Sequence, residues 1–116
     1  MTANIRTKMI KRYNKLIRDR ILEIIKDAGE KPFWWTLNQK EYLKEIKKKI
    51  LEEAGELIKA KSKEGIIDEI VDIQELIDVL VSELKLKKSK IKKQQKIKNE
   101  KRGGFKKRLF LIKTEK

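Results

Sequence analysis

The sequence predicts an all-α protein, an antiparallel helical bundle with a short extended C-terminal tail that is completed by oligomerisation. Three observations predict it. Apolar residues recur at three- and four-residue spacing through most of the 116 residues. Breaks at Gly29, Pro32, Gly65 and Gly103-Gly104 separate the periodic segments. One segment, residues 66–84, is apolar over more than one face, which calls for neighbours on several sides, some of them across a subunit interface. The length suits a single domain over residues 1–116 with one modest or shared core.

The first helix is predicted over residues 13–28, where Leu16, Ile17, Ile21, Ile24 and Ile25 fall on one side. Gly29 stops it, and Glu30-Lys31-Pro32 makes a loop. Phe33, Trp34 and Trp35 follow. Three adjacent aromatics cannot all face one core, so at least one meets a partner, a ligand or another subunit. Asn38 with Glu41 three residues on has the form of a capping box. The helix it opens carries a buried stripe of Tyr42, Ile46, Ile50, Leu51, Ala54, Leu57 and Ile58 and runs to about Ala60. Gly55 within it costs about 1 kcal/mol relative to alanine, and either close helix contact or room for a ligand beside Glu56 explains it. After the break at Gly65 comes the apolar helix 66–84, and the short link between the two favours an antiparallel hairpin. Residues 85–100 read as a peripheral helix with only Leu86, Ile91 and Ile97 as packing groups. Gly103-Gly104 ends it, and residues 109–114 form the extended tail, anchored by Phe110 and Ile112.

The chain has no cysteine and no histidine, which excludes disulfides, thiolate zinc sites and cysteine nucleophiles and removes the usual general base. Any metal site must be built of oxygen ligands, which favours Mg²⁺, Mn²⁺ or Ca²⁺. No apolar run approaches a membrane span. Residues 1–20 are basic without a continuous hydrophobic stretch, so they do not read as a secretory signal, and a cytoplasmic location is expected. The net charge of +14 is unevenly spread: residues 21–84 hold 15 acids and 10 bases, whereas residues 85–108 hold 13 bases and one acid. An acidic centre between cationic segments suits an anionic substrate approaching a metal, or a nucleic-acid-binding tail.

Within the acidic centre, Glu53-Ala54-Gly55-Glu56 and Glu69-Ile70-Val71-Asp72 each place two carboxylates three apart, on one side of a helix. Twelve residues separate Glu56 from Glu69, so an antiparallel hairpin brings the pairs to similar height. Bare carboxylates at that density repel and raise one another's pKa values, and a divalent cation removes the penalty. The plainer reading is of solvated acids balanced by lysines. It is hardest to sustain for Asp72, between Val71 and Ile73 in the most apolar helix. Mg²⁺ binds through carboxylates and substrate phosphates together, so the chemistry that fits is hydrolysis of a phosphoanhydride. Glu52 or Glu53 would then accept the proton of the attacking water.

These residues also carry a family resemblance. The two acidic steps resemble the metal signature of the all-α nucleoside triphosphate pyrophosphohydrolases, which include the MazG-like enzymes, phosphoribosyl-ATP pyrophosphohydrolase and dimeric dUTPases. A small single-domain branch is similar in its opening, here Tyr13-Asn14-Lys15-Leu16-Ile17-Arg18-Asp19-Arg20-Ile21-Leu22. It is similar again in Leu51-Glu52-Glu53-Ala54-Gly55-Glu56-Leu57 and in Arg102-Gly103-Gly104-Phe105-Lys106-Lys107-Arg108. The resemblance implies Mg²⁺ held by Glu53, Glu56, Glu69 and Asp72. It also implies cleavage between the α and β phosphates of a nucleotide, non-standard or damaged, in a homodimer or homotetramer.

The chain departs from the branch in Leu22, where proline is usual, and in the strongly basic residues 85–101. Lys15, Arg18 and Arg20 are candidates for gripping the triphosphate, since arginine forks and mobile lysines match phosphate oxygens. Asn14 either contacts a base or caps a helix. Arg102 with Gly103-Gly104 either presents an anion nest or makes a simple turn. A non-catalytic reading remains, in which the basic segment 85–108 binds nucleic acid in a salt-dependent way.

Overall fold

The computed structural model describes residues 9–116, which form four α-helices and no strand: α1 (Ile21–Asp27), α2 (Gln39–Lys59), α3 (Lys63–Glu83) and α4 (Lys88–Arg102). The all-α class is as the periodicity predicts. The first eight residues, part of the basic opening stretch read as lacking a secretory signal, lie outside the described residues. No helix among the described residues is long and apolar enough to cross a membrane. The chain divides into two compact units, one ending at Ile77 and one beginning at Asp78, so the division falls within α3.

In the first unit the opening helix is much shorter than predicted. Only Ile21–Asp27 is helical, and Asn14 takes a left-handed φ of 47° that a continuing helix does not admit. Residues 13–18 form instead an open segment whose Lys15 and Arg18 reach acids on α2 and α3. Gly29 closes α1 as expected: at φ 84° it lets its own N–H reach the Lys26 carbonyl and the Glu30 N–H reach that of Ile25.

Asn38 caps α2, its side-chain oxygen accepting from the Glu41 N–H at 2.9 Å. The helix α3 starts earlier than the apolar pattern suggests. Ser62 Oγ accepts from the Gly65 N–H at 3.0 Å, so Gly65 lies in the first turn rather than at a break. A Cβ at Gly65 would stand 3.1 Å from that hydroxyl, which accounts for the glycine. With only residues 60–62 between them, α2 and the first part of α3 fold back on each other as the predicted hairpin.

The seam between these helices mixes acids with aliphatics. Ile46 is fully buried, and Ile50, Glu53 and Leu57 follow it along the same side of α2. Leu51 and Ile58, read from the sequence as part of the buried stripe, point the other way and are 75% and 86% exposed. On α3, Glu69, Asp72, Ile73 and Leu76 are partly buried, while Ile67, Ile70 and Val71 are exposed. Three acids are turned inward among these aliphatics, and several other branched aliphatics face outward.

The second unit contains the end of α3 and all of α4. Val81 is buried, and α3 ends with the Leu86 N–H on the Val81 carbonyl and the Lys85 N–H on that of Ser82. Lys85 sits at φ 55°, a position glycine usually fills. Gly103, at φ 77°, ends α4 as expected. The tail does not anchor itself: Phe110 and Ile112 are almost wholly exposed. Polar on nearly every side, α4 offers no apolar face for them.

Candidate metal centre

Three inward acids meet across the α2–α3 seam. Glu53, Glu69 and Asp72 each bring one carboxylate oxygen within 4.8 Å of the others. Glu53 is only 12% exposed. Burial foremost, then a hydrogen bond with Glu69 and the charges of Glu69 and Asp72, push its carboxyl up to about 7, while Lys49 pulls the other way. Glu53 therefore holds its proton more tightly than an ordinary carboxyl. Glu69 Oε2 is buried and has no hydrogen-bond partner among the described residues.

An unsatisfied buried acceptor is costly. A set of converging carboxylates, one of which carries an orphaned oxygen, suits an oxygen-seeking divalent cation, which would answer the repulsion. The residues present fit such an ion.

The other candidates sit around this centre in different ways. Glu56 follows Glu53 by three residues but is exposed and lies 3.9 Å from Lys59, outside the group of three that converge. Glu52 is held by Lys15 at 3.3 Å and Lys49 at 3.7 Å. Lys49, which the sequence reading did not single out, also lies 3.9 Å from Glu53 and so ties the two adjacent glutamates together. Its signal was available in the spacing, three and four residues before the two acids.

Arg18 meets Asp72 at 2.6 Å, and that hydrogen bond foremost, against some burial, holds the guanidinium more firmly protonated than usual. Asp72 is thus explained in part by a protein partner that sequence alone did not supply.

Asn14 does not cap α1, which begins seven residues later; with Tyr13, Lys15, Lys48, Lys49 and Glu52 it lines an open groove of about 270 Å³. The ammonium of Lys11 lies 5.0 Å and that of Lys15 5.9 Å from the Tyr13 ring centre. Arg20 occupies the position just before α1 and makes no side-chain cap. Phe33, Trp34 and Trp35 are all exposed, with Lys31 over Phe33 and Lys26 over Trp34.

In the second unit Arg102 is the last residue of α4, and the Gly103 N–H is already bonded to the Asn99 carbonyl at 2.8 Å. That amide is committed to the helix end, as in the simple-turn reading. The lysines of α4 ring the helix, Lys88, Lys92 and Lys96 on one side and Lys90 and Lys101 on the opposite one. The result is a solvated polar helix rather than a single cationic stripe.

The family model for phosphoribosyl-ATP pyrophosphohydrolase matches residues 10–94. The matched span takes in Lys15, Arg18 and all four acids of the two steps, and stops before Arg102. No curated protein and no solved structure matches the chain. With the match covering well over half the sequence and the inward carboxylates lying inside it, the chain belongs to the phosphoribosyl-ATP pyrophosphohydrolase family and is a MazG-like all-α hydrolase.

Proposed function

We propose that the protein hydrolyses a nucleoside triphosphate, non-standard or damaged, between its α and β phosphates. The products are a nucleoside monophosphate and pyrophosphate. The observation that carries this reading is the convergence of Glu53, Glu69 and Asp72, with an orphaned Glu69 oxygen, on the inward seam of a hydrolase of this family. Those three residues, joined by Glu56, would hold Mg²⁺, with Mn²⁺ as the alternative ion. When bound, the cation neutralises phosphate oxygens and acidifies the attacking water.

The chain's own groups do the rest. Glu52 and Glu53 are the candidates to take the water's proton. As the water oxygen bonds to the α phosphorus, the bond to the bridging oxygen breaks and pyrophosphate departs. Lys15, Arg18 and Arg20 bind phosphate oxygens from the open segment before α1, and Asn14 contacts the base from the adjoining groove. Arg102 is a further phosphate-binding candidate. The outward Leu51, Ile58, Ile67, Ile70 and Val71 support assembly into a homodimer or homotetramer, in a cytoplasmic enzyme.

The test is a panel of standard and modified nucleoside triphosphates with Mg²⁺ or Mn²⁺, with products identified by mass spectrometry. The wild-type protein is expected to release monophosphate and pyrophosphate in equal amounts. Glu69→Gln and Asp72→Asn should each lower the rate by at least ~100-fold, beyond what outer groups of a metal site usually contribute. Release of inorganic phosphate alone, or no turnover of any nucleotide by the assembled protein, would sink the reading.

A further inference from the structure

Arg18 and Asp72 are 54 positions apart, yet their side chains meet at 2.6 Å. Arg18 reaches Asp72 from the open segment, three residues before α1, where its carbonyl accepts from the Ile21 N–H at 3.1 Å. The backbone of Arg18 is thus tied to the helix start while its side chain is 56% exposed; that of Asp72 is 28% exposed. The guanidinium cannot discharge itself at any ordinary pH. It therefore sets a permanent positive charge directly on a carboxylate that belongs to the converging group.

A divalent cation drawing on the same carboxylate feels that charge as repulsion, and shares with it the negative charge that attracts both. The pair is also releasable. Exposed ion pairs are weak, and the Arg18 side chain is more than half exposed. A triphosphate offers several charged oxygens to a planar fork that matches them two at a time.

We propose that Arg18 is an internal cation that competes with the divalent ion for Asp72. In this arrangement a triphosphate relieves the competition by drawing the guanidinium onto its own phosphates. Metal and nucleotide then load cooperatively, each strengthening the other by the same factor. The inference rests on the reading of Glu53, Glu69 and Asp72 as a metal centre. It adds an order to the use of Arg18, which serves first the carboxylate and then the substrate. It also has the opposite sign to a positioning role, in which Arg18 would orient Asp72 and its loss would loosen the metal.

The sign is measurable without turnover. Mn²⁺ binding is followed by calorimetry and electron paramagnetic resonance at buffered free Mn²⁺, for the wild-type protein, Arg18→Gln, Arg18→Lys and Glu69→Gln. The probe is α,β-methylene-ATP, whose bridge resists cleavage. Circular dichroism and thermal unfolding establish that each variant is folded. Arg18→Gln is expected to bind Mn²⁺ alone about ten-fold more tightly than wild type, and Arg18→Lys, which keeps the charge, much less so. The probe should tighten Mn²⁺ binding to wild type about ten-fold more than to Arg18→Gln, because direct metal–phosphate bonds contribute in both proteins and relief of the competition in wild type alone.

Equal or weaker binding by Arg18→Gln overturns the competition. A probe effect that is the same in both proteins overturns the transfer to phosphate. If wild type, Arg18→Gln and Glu69→Gln all fail to bind Mn²⁺, the metal centre itself is wrong and the competition falls with it. That outcome is distinct from the first two.

Discussion

Glu53 on α2 and Glu69 on α3 bring their carboxyls within hydrogen-bond reach across a helix seam whose other inward positions include Ile46, Ile50 and Ile73. Two acids facing each other on the buried side of a hairpin repel when both are charged, and a proton or another cation beside them relieves that cost. The same contact therefore couples folding to pH, and a bound cation would join that coupling.

The first prediction follows from the direction of that shift. Folding raises the Glu53 carboxyl from an ordinary 4.5 to about 7, so the folded protein holds this proton more tightly than the unfolded chain does. The stabilisation from Glu53 is complete below about 4.5 and is lost as pH climbs through about 7. Thermal unfolding in chelator between pH 5 and 8 should show a falling contribution that Glu53→Gln removes. Mg²⁺ needs the deprotonated carboxylate, so it should raise the melting temperature more at pH 8 than at pH 6. A Mg²⁺ effect that is greater at the lower pH would contradict the assignment.

Much of this centre was legible in the sequence, because helical spacing alone sets Glu53 seven residues after Ile46 and four before Leu57. The position of Asp72 next to Ile73 was equally plain. What spacing could not supply was the partner of Asp72. Leu16, Ile17 and Ile21 argue for a helix from Tyr13 onward, whereas Asn14 is left-handed and Lys15 and Arg18 reach Glu52 and Asp72 from an open segment. Leu51 and Ile58 misled in another way. Periodicity reports that a side is apolar but not whose surface covers it, so an outward face reads like a core.

Gly55 gives the second prediction. A Cβ built there meets nothing within 4 Å, so the close-contact explanation does not apply within this chain. Gly55→Ala should stabilise the protein by about 0.5–1 kcal/mol through helix propensity, read as a higher melting temperature. If activity falls while stability rises, the space beside Glu56 is used by substrate. A loss of stability would mean that a second copy packs against the glycine.

The third prediction concerns the outward aliphatics. Leu51 and Ile58 lie on one line of α2, seven residues apart, away from the carboxylate seam. Leu51→Lys with Ile58→Glu should convert the assembled protein to monomer in light scattering coupled to gel filtration, while leaving the helix content intact. A wild-type protein that is already monomeric at micromolar concentration would remove the proposed assembly.

The last prediction separates Glu56 from the other acids. Its carboxylate lies 3.9 Å from Lys59 and takes no part in the converging group, so joining the cation requires it to leave that lysine and turn inward. An exposed pair of this kind holds by well under 1 kcal/mol, which a metal bond readily exceeds. If Glu56 completes the ligand set, Glu56→Gln should weaken Mn²⁺ binding by at least ~100-fold, beyond what outer groups of a metal site usually contribute. Lys59→Ala, which frees the carboxylate, should leave binding unchanged or slightly tighter. If instead Glu56→Gln binds Mn²⁺ as wild type does, the protein supplies three carboxylates and the remaining positions belong to water and phosphate. The three inward acids would then be the whole of the protein's ligand set, as their burial and spacing already single them out.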